Sequence, residues 1–252
     1  MEGSVTILGV PFSKLTLHET TQQLTEHIQQ ESSKLFHLIT VNPEITITYQ
    51  TDQLLQAIVK EADLITPDGI GIVMASRRKG EPITERVTGY DLLLRLLEEG
   101  NERGWSFFFL GTDEDTNQKA ADEVSKQYPN VVIAGRHNGF FNEKEERILI
   151  QTIQETKPDV LIVAMGAPYS DKWIYKHKHL LNGVKIVFGV GGSLDVLAGK
   201  VKATPEMWKK LNLEWLHRLL TVPAAKGQKS RWRRQTAIPK FLYRAIIKNE
   251  SL

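Results

Sequence analysis

An aspartate between an apolar run and a helix-forming run is the first residue whose position suggests chemistry. Asp68 stands in ADLITPDGIGIV, after Pro67 and before two glycines, with no basic residue near it in the sequence. Asp is common at helix starts, where its side chain accepts hydrogen bonds from backbone N–H groups. An ionised carboxylate can also take a proton from a hydroxyl group. The local sequence therefore leaves two alternatives, a helix cap and a catalytic base, and favours the cap.

Polar residues also follow a second apolar run, LFHLITVN. Thr40 and Asn42 alternate at its end, so both side chains can point to one side of a strand and bond a polyhydroxylated ligand. Asn42 precedes Pro43, however, and a helix N-cap is the favoured local interpretation. Arg86, in ITERVTGYD, is a cation in a turn-like loop. Its importance depends on what the fold places beside it.

A glycine-rich stretch, GVGGS, follows the apolar run KIVF. Gly191 and Gly192 would let a phosphate approach backbone N–H groups at a helix start. The stretch lacks the G-x-G-x-x-G spacing and an acidic residue about 20 positions later, which argues against NAD binding. Asp195 could accept hydrogen bonds from a ribose or a base, or it could be an ordinary acidic residue at a helix start. A phosphate or nucleotide contact stays open here.

Metal and thiol chemistry have little support in this chain. It has no cysteine, so disulfides and cysteine ligands are excluded. Asp113 and Asp115 form a D-x-D pattern, which can bind a metal–diphosphate, but they also begin a helical run, where acids are favoured. His177 and His179 lie in a Lys-rich run that predicts a solvated helix face. We therefore expect no metal site and no cofactor.

The charge is distributed unevenly along the chain. Nine of the 32 Lys and Arg residues lie between Trp215 and Asn249, a range without an acid. The rest holds 23 basic and 30 acidic residues, so an acidic body carries a basic tail. The tail predicts a polyanionic partner: phospholipid headgroups, nucleic acid or a substrate diphosphate. Nucleic-acid binding would explain the tail but not the polar residues that follow several apolar runs.

Part of the tail has the pattern of an amphipathic helix. Apolar residues recur at the spacing of one helix face, with a separate basic stripe of Lys240, Arg244 and Lys248. The apolar positions are Ile238, Phe241, Leu242, Ala245 and Ile246. A membrane surface is the favoured partner for this face, and packing against the protein's own body is the alternative. No run reaches the roughly 20 apolar residues that cross a bilayer, and the N-terminus lacks a signal-peptide pattern, so we expect a cytoplasmic protein.

Short apolar runs alternate with helical patterns along most of the chain. This order predicts an α/β fold with a Rossmann-like, mostly parallel sheet and helices on both faces. We expect a hairpin from VTILGV and KLTL, a capping box from Thr16 to Glu19, and one helix from Pro43 to about Lys60. The predicted α/β core spans 1–202, and a helical basic appendage spans 203–252. Ligands of such sheets gather at the carboxyl ends of the strands.

Several segments together resemble the WecG/TagA/CpsF glycosyltransferases, glycosyltransferase family 26. The matching segments, in order, are LITVNPEI, ADLITPDGIGIV, ERVTGYD, HNGFF, VAMGAPYSDKW, GVGGSLDVLAGKVK and LEWLHRLL. The resemblance extends to about Leu220. It implies an inverting, metal-independent enzyme that moves a sugar from a UDP-sugar donor to a polyprenyl-diphosphate-linked acceptor at the inner face of the plasma membrane. It also implies that the chain can form a homo-oligomer.

Within this family, the branch that makes the wall teichoic acid linkage disaccharide transfers N-acetylmannosamine from UDP-N-acetylmannosamine. Its acceptor is undecaprenyl-diphosphate-linked N-acetylglucosamine, and this is the activity we expect. Use of the uronic acid UDP-ManNAcA or of UDP-glucose, for capsule or exopolysaccharide, is the alternative. A basic-tailed protein without catalysis, binding nucleic acid or a membrane, is more remote. We expect no nucleic-acid partner.

The resemblance assigns roles to individual residues. Asp68 matches the proposed general base, Thr40 and Asn42 match polar pocket residues, and Arg86 matches an active-site arginine. The family usually has Gln where this chain has Ser170, which could change the choice of donor or acceptor. The positions that match the UDP site are Phe140, Gly166, Gly191, Gly192 and Asp195. The basic tail resembles an appendage that reaches the membrane and supplies arginines to the diphosphate, for which Arg231, Arg233 and Arg234 are available.

Overall fold

Helices and strands alternate along most of the computed structural model, which describes residues 3–30, 34–202, 205, 207–208 and 237–248. The strands are β1 (Ser4–Ile7), β2 (Val10–Ser13), β3 (Phe36–Val41), β4 (Leu64–Pro67), β5 (Ser106–Gly111), β6 (Val132–His137), β7 (Val160–Ala164) and β8 (Ile186–Gly189). The helices are α1 (Leu17–Gln29), α2 (Pro43–Tyr49), α3 (Gln53–Glu61), α4 (Ile70–Arg78), α5 (Gly89–Arg103), α6 (Glu114–Gln127), α7 (Glu143–Thr156), α8 (Tyr169–His177) and α9 (Ser193–Leu197). A 3-10 turn (Lys178–Leu180) follows α8. The C-terminal helix comprises residues 237–247 and contains a π-helical stretch, Tyr243–Ile247.

Six strands form one parallel sheet in the order β4–β3–β8–β7–β5–β6. The predicted Rossmann-like α/β fold is confirmed. All residues of β7 and β8 are buried, as expected for central parallel strands covered on both faces. From β3 the chain moves outward to β4, and from β5 it moves outward to β6. A crevice therefore opens at the carboxyl ends of the central strands, where ligands bind in such folds.

The two faces of the sheet are covered by different helices. Helices α1, α5 and α6 pack on one face, where Leu38, Phe109 and Phe188 come from the strands. Helices α3, α4, α7 and α8 and the β1–β2 hairpin cover the other face. Along β3, Thr40 belongs to the α5 face and Val41 to the α3 face because successive side chains alternate.

The N-terminal hairpin has a different register from the predicted one. Its second strand is Val10–Ser13, whereas KLTL, the predicted second strand, contributes Leu17 to the start of α1. The turn is Leu8-Gly9, and both residues have positive φ, at 48° and 81°. A two-residue turn of this kind matches the twist of paired strands. The prediction was wrong because it treated the turn residues as part of a longer first strand.

The helix predicted from Pro43 to about Lys60 is two helices. The helical segment is interrupted before Asp52, which is the N-cap of α3. The Asp52 Oδ1 accepts a hydrogen bond from the Leu55 N–H at 3.0 Å. Its other oxygen forms an ion pair with Lys172 of α8 at 2.6 Å. The capping box of α1 is confirmed, with the Thr16 hydroxyl bonded to the Glu19 N–H.

The C-terminal helix places its apolar face against the protein body, which corrects the favoured membrane interpretation of that face. Phe241 is fully buried and Ala245 almost so, in the cluster that also holds Ile72 and Val73 of α4. A Cβ on Gly71 would lie 3.5 Å from the Phe241 ring. Tyr243 and Ile247 point outward instead, 50% and 70% exposed. The same apolar spacing suits a lipid surface and a protein core, because both are apolar environments.

In the part of the chain that the structure describes, no helix has both the length and the apolar character needed to cross a bilayer.

Candidate active site

Asp68 lies at the carboxyl edge of the sheet, beside the end of β3. Its N–H donates to the Val41 carbonyl at 3.0 Å and extends the register in which Thr40 lies opposite Thr66. The N-cap of α4 is Gly69, with φ at 120°, so the capping position itself has no side chain. The half-buried Asp68 side chain lies one residue before that position, where β4 ends.

Thr40 and Asn42 flank this aspartate but differ in what they can offer a ligand. Asn42 caps α2, because its Oδ1 accepts a hydrogen bond from the Ile45 N–H at 2.9 Å. The predicted cap is confirmed, and the amide nitrogen is the part of Asn42 that remains for a ligand. A Cβ on Gly89, the first residue of α5, would lie 3.4 Å from the Thr40 hydroxyl and equally close to the Gly189 carbonyl. The start of α5 thus sits directly against Thr40 and the end of β8.

Arg86 is brought beside Asp68 by one backbone hydrogen bond. The Val87 N–H donates to the Pro67 carbonyl at 2.9 Å, so the loop before α5 runs along the end of β4. Arg86 is half-buried and lines a cavity of about 300 Å³ between this loop and α4. The loop cation that the sequence could not place is therefore a neighbour of the candidate base.

The opposite half of the edge is formed by the ends of β5, β7 and β8. Gly111 at the end of β5 has φ at 133°, and a Cβ there would come within 2.4 Å of the Ala164 carbonyl group. The amide nitrogen of Asn117, a fully buried residue of α6, reaches the carbonyls of Phe109, Gly111 and His137 at 3.0–3.2 Å. These contacts fix the strand ends rigidly. The sequence did not point to Asn117, because its carbonyl partners belong to two different strands that only the fold brings together.

Phe140 stands beside these strand ends as a largely uncovered ring. It is 77% exposed, and its loop is tied to β5 by the bond from the Gly139 N–H to the Thr112 carbonyl at 2.8 Å. An exposed aromatic ring on a fixed loop can stack on a nucleobase. Tyr169, at the start of α8, is also 70% exposed, close in sequence to Gly166.

The glycine-rich loop after β8 presents open backbone to this half of the site. Gly191 has φ at 55°, and nothing lies within 4 Å of the position a Cβ would take there or at Gly166. A Cβ on Gly192 would meet the Asp195 carboxylate at 3.5 Å. Open backbone of this kind suits a phosphate group, as the sequence suggested.

Asp195 is held by a network that sequence reasoning did not identify. Its Oδ1 lies 3.4 Å from the Thr112 hydroxyl and 3.7 Å from Lys200 Nζ. Lys200 also forms an ion pair with Asp113, and its hydrogen bond holds the pKa of Asp113 well below its usual range. Lys200 thus places one positive charge between two carboxylates. The only sequence signal was its position in the GVGGSLDVLAGKVK motif.

The D-x-D pattern is a helix start, as the favoured interpretation predicted. Asp113 caps α6 through the Thr116 N–H at 2.9 Å, and Asp115 pairs with Lys119 on the same helix. Among the described residues no group of three or more His, Cys, Asp or Glu side chains could hold a metal ion. His177 does not lie on a solvated face as predicted, because it is 6% exposed and bonded to Glu146 at 3.0 Å.

Ser170 lies beneath the site and not on its surface. It is 1% exposed, and its hydroxyl accepts a hydrogen bond from the Met165 N–H at 3.0 Å. The structure therefore gives no support to Ser170 as a substrate contact. Asp171 beside it is also buried, and burial raises the pKa of its carboxyl group to about 7. Both side chains pack against Gly189, where a Cβ would meet them at 3.0–3.1 Å.

A larger cavity, about 700 Å³, lies at the other end of the sheet. It is lined by the hairpin, the end of α3 and the start of β4, with Lys60 and Asp63 as its charged residues. These residues lie toward the start of β4, at the opposite end of that strand from Asp68. The predicted tail arginines Arg231, Arg233 and Arg234 lie outside the described residues.

Comparisons with known proteins find sequence relatives along nearly the whole chain. The model of the glycosyl transferase WecG/TagA/CpsF family matches residues 5–251. A relative from Bacillus spizizenii is 36% identical over 87% of this chain and 82% of its own. Relatives from Bacillus subtilis and Staphylococcus aureus are each 32% identical, over 97% and 95% of this chain and 91% of their own. All three are named N-acetylglucosaminyldiphosphoundecaprenol N-acetyl-beta-D-mannosaminyltransferase.

Proposed function

The chain belongs to the WecG/TagA/CpsF family of glycosyltransferases, and on that basis we propose that it transfers N-acetylmannosamine to an undecaprenyl-diphosphate-linked acceptor. The donor is UDP-N-acetylmannosamine, the acceptor sugar is N-acetylglucosamine, and the product is the linkage disaccharide of wall teichoic acid. The observation that carries the proposal is the agreement in name of relatives that align over nearly the whole chain.

Asp68 is the general base of this mechanism. Its carboxylate takes the proton from the acceptor hydroxyl as that oxygen attacks the anomeric carbon of the donor, which inverts the configuration there. Support comes from the half-buried position at the edge of the sheet and from the N-cap position of α4, which is occupied by Gly69 and not by Asp68. Thr40 and the amide nitrogen of Asn42 lie next along the edge and orient the sugars between base and donor.

UDP binds at the other half of the edge and leaves there. Phe140 stacks on the uracil, Asp195 accepts hydrogen bonds from the nucleoside, and Gly166, Gly191 and Gly192 give the diphosphate access to backbone N–H groups. The strand order separates this half from Asp68 by two strand spacings, roughly 10 Å from β4 to β8. That separation leaves room for the reacting sugars above the end of β3. Arg86 and the tail arginines supply positive charge to the diphosphates.

The lipid-linked acceptor requires the enzyme to work at the cytoplasmic face of the membrane. The C-terminal helix supports this peripheral association through its outward side, where Tyr243 and Ile247 are exposed and Lys240 and Lys248 add positive charge. Exposed aromatic and apolar residues among basic ones suit an anionic bilayer surface.

A donor panel tests the proposed reaction. UDP release is measured with UDP-N-acetylmannosamine, its uronic acid and UDP-glucose, each with a short-chain lipid-diphosphate N-acetylglucosamine acceptor. Turnover should be greatest with UDP-N-acetylmannosamine and should require the acceptor. Turnover only with another UDP-sugar would support the capsule or exopolysaccharide alternative, and failure to bind UDP at all would overturn the glycosyltransferase site.

A further inference from the structure

The cavity beside Arg86 has a second arginine that the proposed chemistry does not use. Arg77 of α4 lines this cavity of about 300 Å³ together with Ile70 and Val73. These three residues are spaced i, i+3 and i+7, so they share one face of α4. Arg77 is exposed and forms no ion pair within the described part of the chain. A guanidinium group in a cavity next to a reaction centre is available to bind an anion.

The acidic residues of the cavity are already committed to backbone and hydroxyl donors. Glu85 Oε1 accepts a hydrogen bond from the Leu17 N–H at 2.6 Å, at the start of α1. Asp91 Oδ2 accepts one from the Thr88 hydroxyl at 2.7 Å. The cavity is lined by two arginines and two acids, so its formal charges balance. Each carboxylate, however, is hydrogen-bonded to a donor of its own. Arg77 remains the charge that a ligand can recruit without breaking one of these bonds.

The position of the cavity suits the acceptor, and not the donor, as its ligand. β4 is an edge strand, and the bond from Val87 to Pro67 places the cavity on the outer side of Asp68. The UDP half lies on the other side, at the ends of β8, β7 and β5. Since the acceptor hydroxyl must meet Asp68 from the donor side, the remainder of the acceptor extends outward over β4. The anomeric diphosphate of that sugar then lies about one ring width beyond Asp68, toward α4.

The other walls of the cavity suit the lipid that follows the diphosphate. Leu17, Ile70 and Val73 are apolar, and Met74 next to them on α4 is 47% exposed. The neighbouring face of α4 carries the C-terminal helix, through the contact of Gly71 with Phe241. One helix therefore borders both the cavity and the segment that the proposed function places at the membrane.

We propose that this cavity binds the diphosphate of the lipid-linked acceptor, with Arg77 as the side chain that contacts it. The proposal rests on the proposed function for the identity of the acceptor. A charged hydrogen bond to a phosphate contributes enough that its removal weakens binding about 10- to 100-fold. Arg77→Gln should raise the KM for the acceptor by this factor and leave the KM for the UDP-sugar unchanged.

Arg78→Gln is the matched control, because Arg78 is an exposed arginine on the same helix that does not line the cavity. Arg77→Lys keeps the charge but loses the planar fork, so its acceptor KM should lie between those of the wild type and Arg77→Gln. Thermal unfolding of each variant identifies any loss of fold. An equal effect of Arg77→Gln and Arg78→Gln would show a general surface charge and overturn the proposal, as would a rise in the donor KM or no change.

Direct binding separates this proposal from the proposed reaction. Farnesyl diphosphate is titrated into the full chain by calorimetry, with UDP titrated separately. We expect Arg77→Gln to weaken binding of farnesyl diphosphate and to leave that of UDP unchanged. If the wild type transfers no sugar from any UDP-sugar, the proposed function fails, yet selective loss of farnesyl diphosphate binding in Arg77→Gln still supports the cavity. Equal binding of farnesyl diphosphate by both proteins overturns it.

Discussion

Replacement of Asp68 by Asn separates catalysis from donor binding. The amide has the shape of the carboxylate but cannot accept the proton, and loss of a general base slows turnover about 100- to 10,000-fold. The backbone N–H bond to Val41 is unaffected by the substitution, so the edge of the sheet should keep its geometry. We expect kcat to fall by this factor while the KM values change little.

The structure also sets the expected change in UDP affinity. The candidate UDP site lies roughly 10 Å from Asp68, two strand spacings away. Two unit charges at that distance interact by about 0.4 kcal/mol in a medium like water. The Asp68 carboxylate therefore repels a diphosphate with two or three negative charges by about 1 kcal/mol. Salt reduces this further. Because the removed charge repelled UDP, Asp68→Asn should bind UDP equally well or a few times more tightly.

Single-turnover sugar transfer and calorimetric UDP binding measure the two effects separately. Asp115→Asn is the control, since it removes the same charge from an exposed position on α6. Asp68→Glu keeps a carboxylate but displaces it, so its turnover should fall less than that of the amide. Retention of most turnover by Asp68→Asn, or a large loss of UDP affinity, would refute the assignment of the base.

Three further predictions test other parts of the molecule. Lys200→Met should raise the KM for the UDP-sugar about 3- to 10-fold, a modest factor because Lys200 is half-exposed, and leave the acceptor KM unchanged; Lys200→Arg should restore it. Phe241→Ala should lower the free energy of unfolding, measured with urea, by about 3–5 kcal/mol. The double variant Tyr243→Ser with Ile247→Ser should keep its stability but bind anionic vesicles more weakly. The reverse pattern would show that the membrane-facing side of the helix was misassigned. Burial raises the pKa of Asp171 to about 7, so the folded protein holds a proton that the unfolded chain releases near pH 4, and stability should fall as the pH rises from about 4 to 7. Asp171→Asn should flatten that part of the pH profile and be the more stable protein above pH 7, and an unchanged slope would contradict the burial argument.

Local patterns predicted the elements of the core well and their boundaries less well. The capping box at Thr16 and the caps Asn42 and Asp113 were all recognisable, because a cap depends on residues three positions away. The break at Asp52 was missed because the helical pattern continues across it. The Leu8-Gly9 turn was missed because an apolar residue occupies a position with positive φ.

The candidate site was predictable in type but not in arrangement. The resemblance singled out Asp68, Arg86 and Asp195 as site residues but not their arrangement. The bond from Val87 to Pro67 places Arg86 beside Asp68, and the strand order places Asp195 beyond the end of β8, two strands away. Lys200 reaches Asp113 across 87 positions of sequence, a separation that no local pattern can bridge. Ser170 was expected at the surface of the site and is buried, since the first turn of α8 packs against Gly189.

Residue types and their order were enough to recognise the alternation of helices and strands, the acidic body with a basic tail, and the family motifs. These features depend on residue type and short spacing, which act before the chain is folded. Packing in the folded protein established which side of the C-terminal helix is buried, which arginine lies beside Asp68, and which carboxyl groups are removed from water. Those outcomes depend on contacts between distant segments, because burial and charge pairing follow from packing and not from the order of residues along the chain.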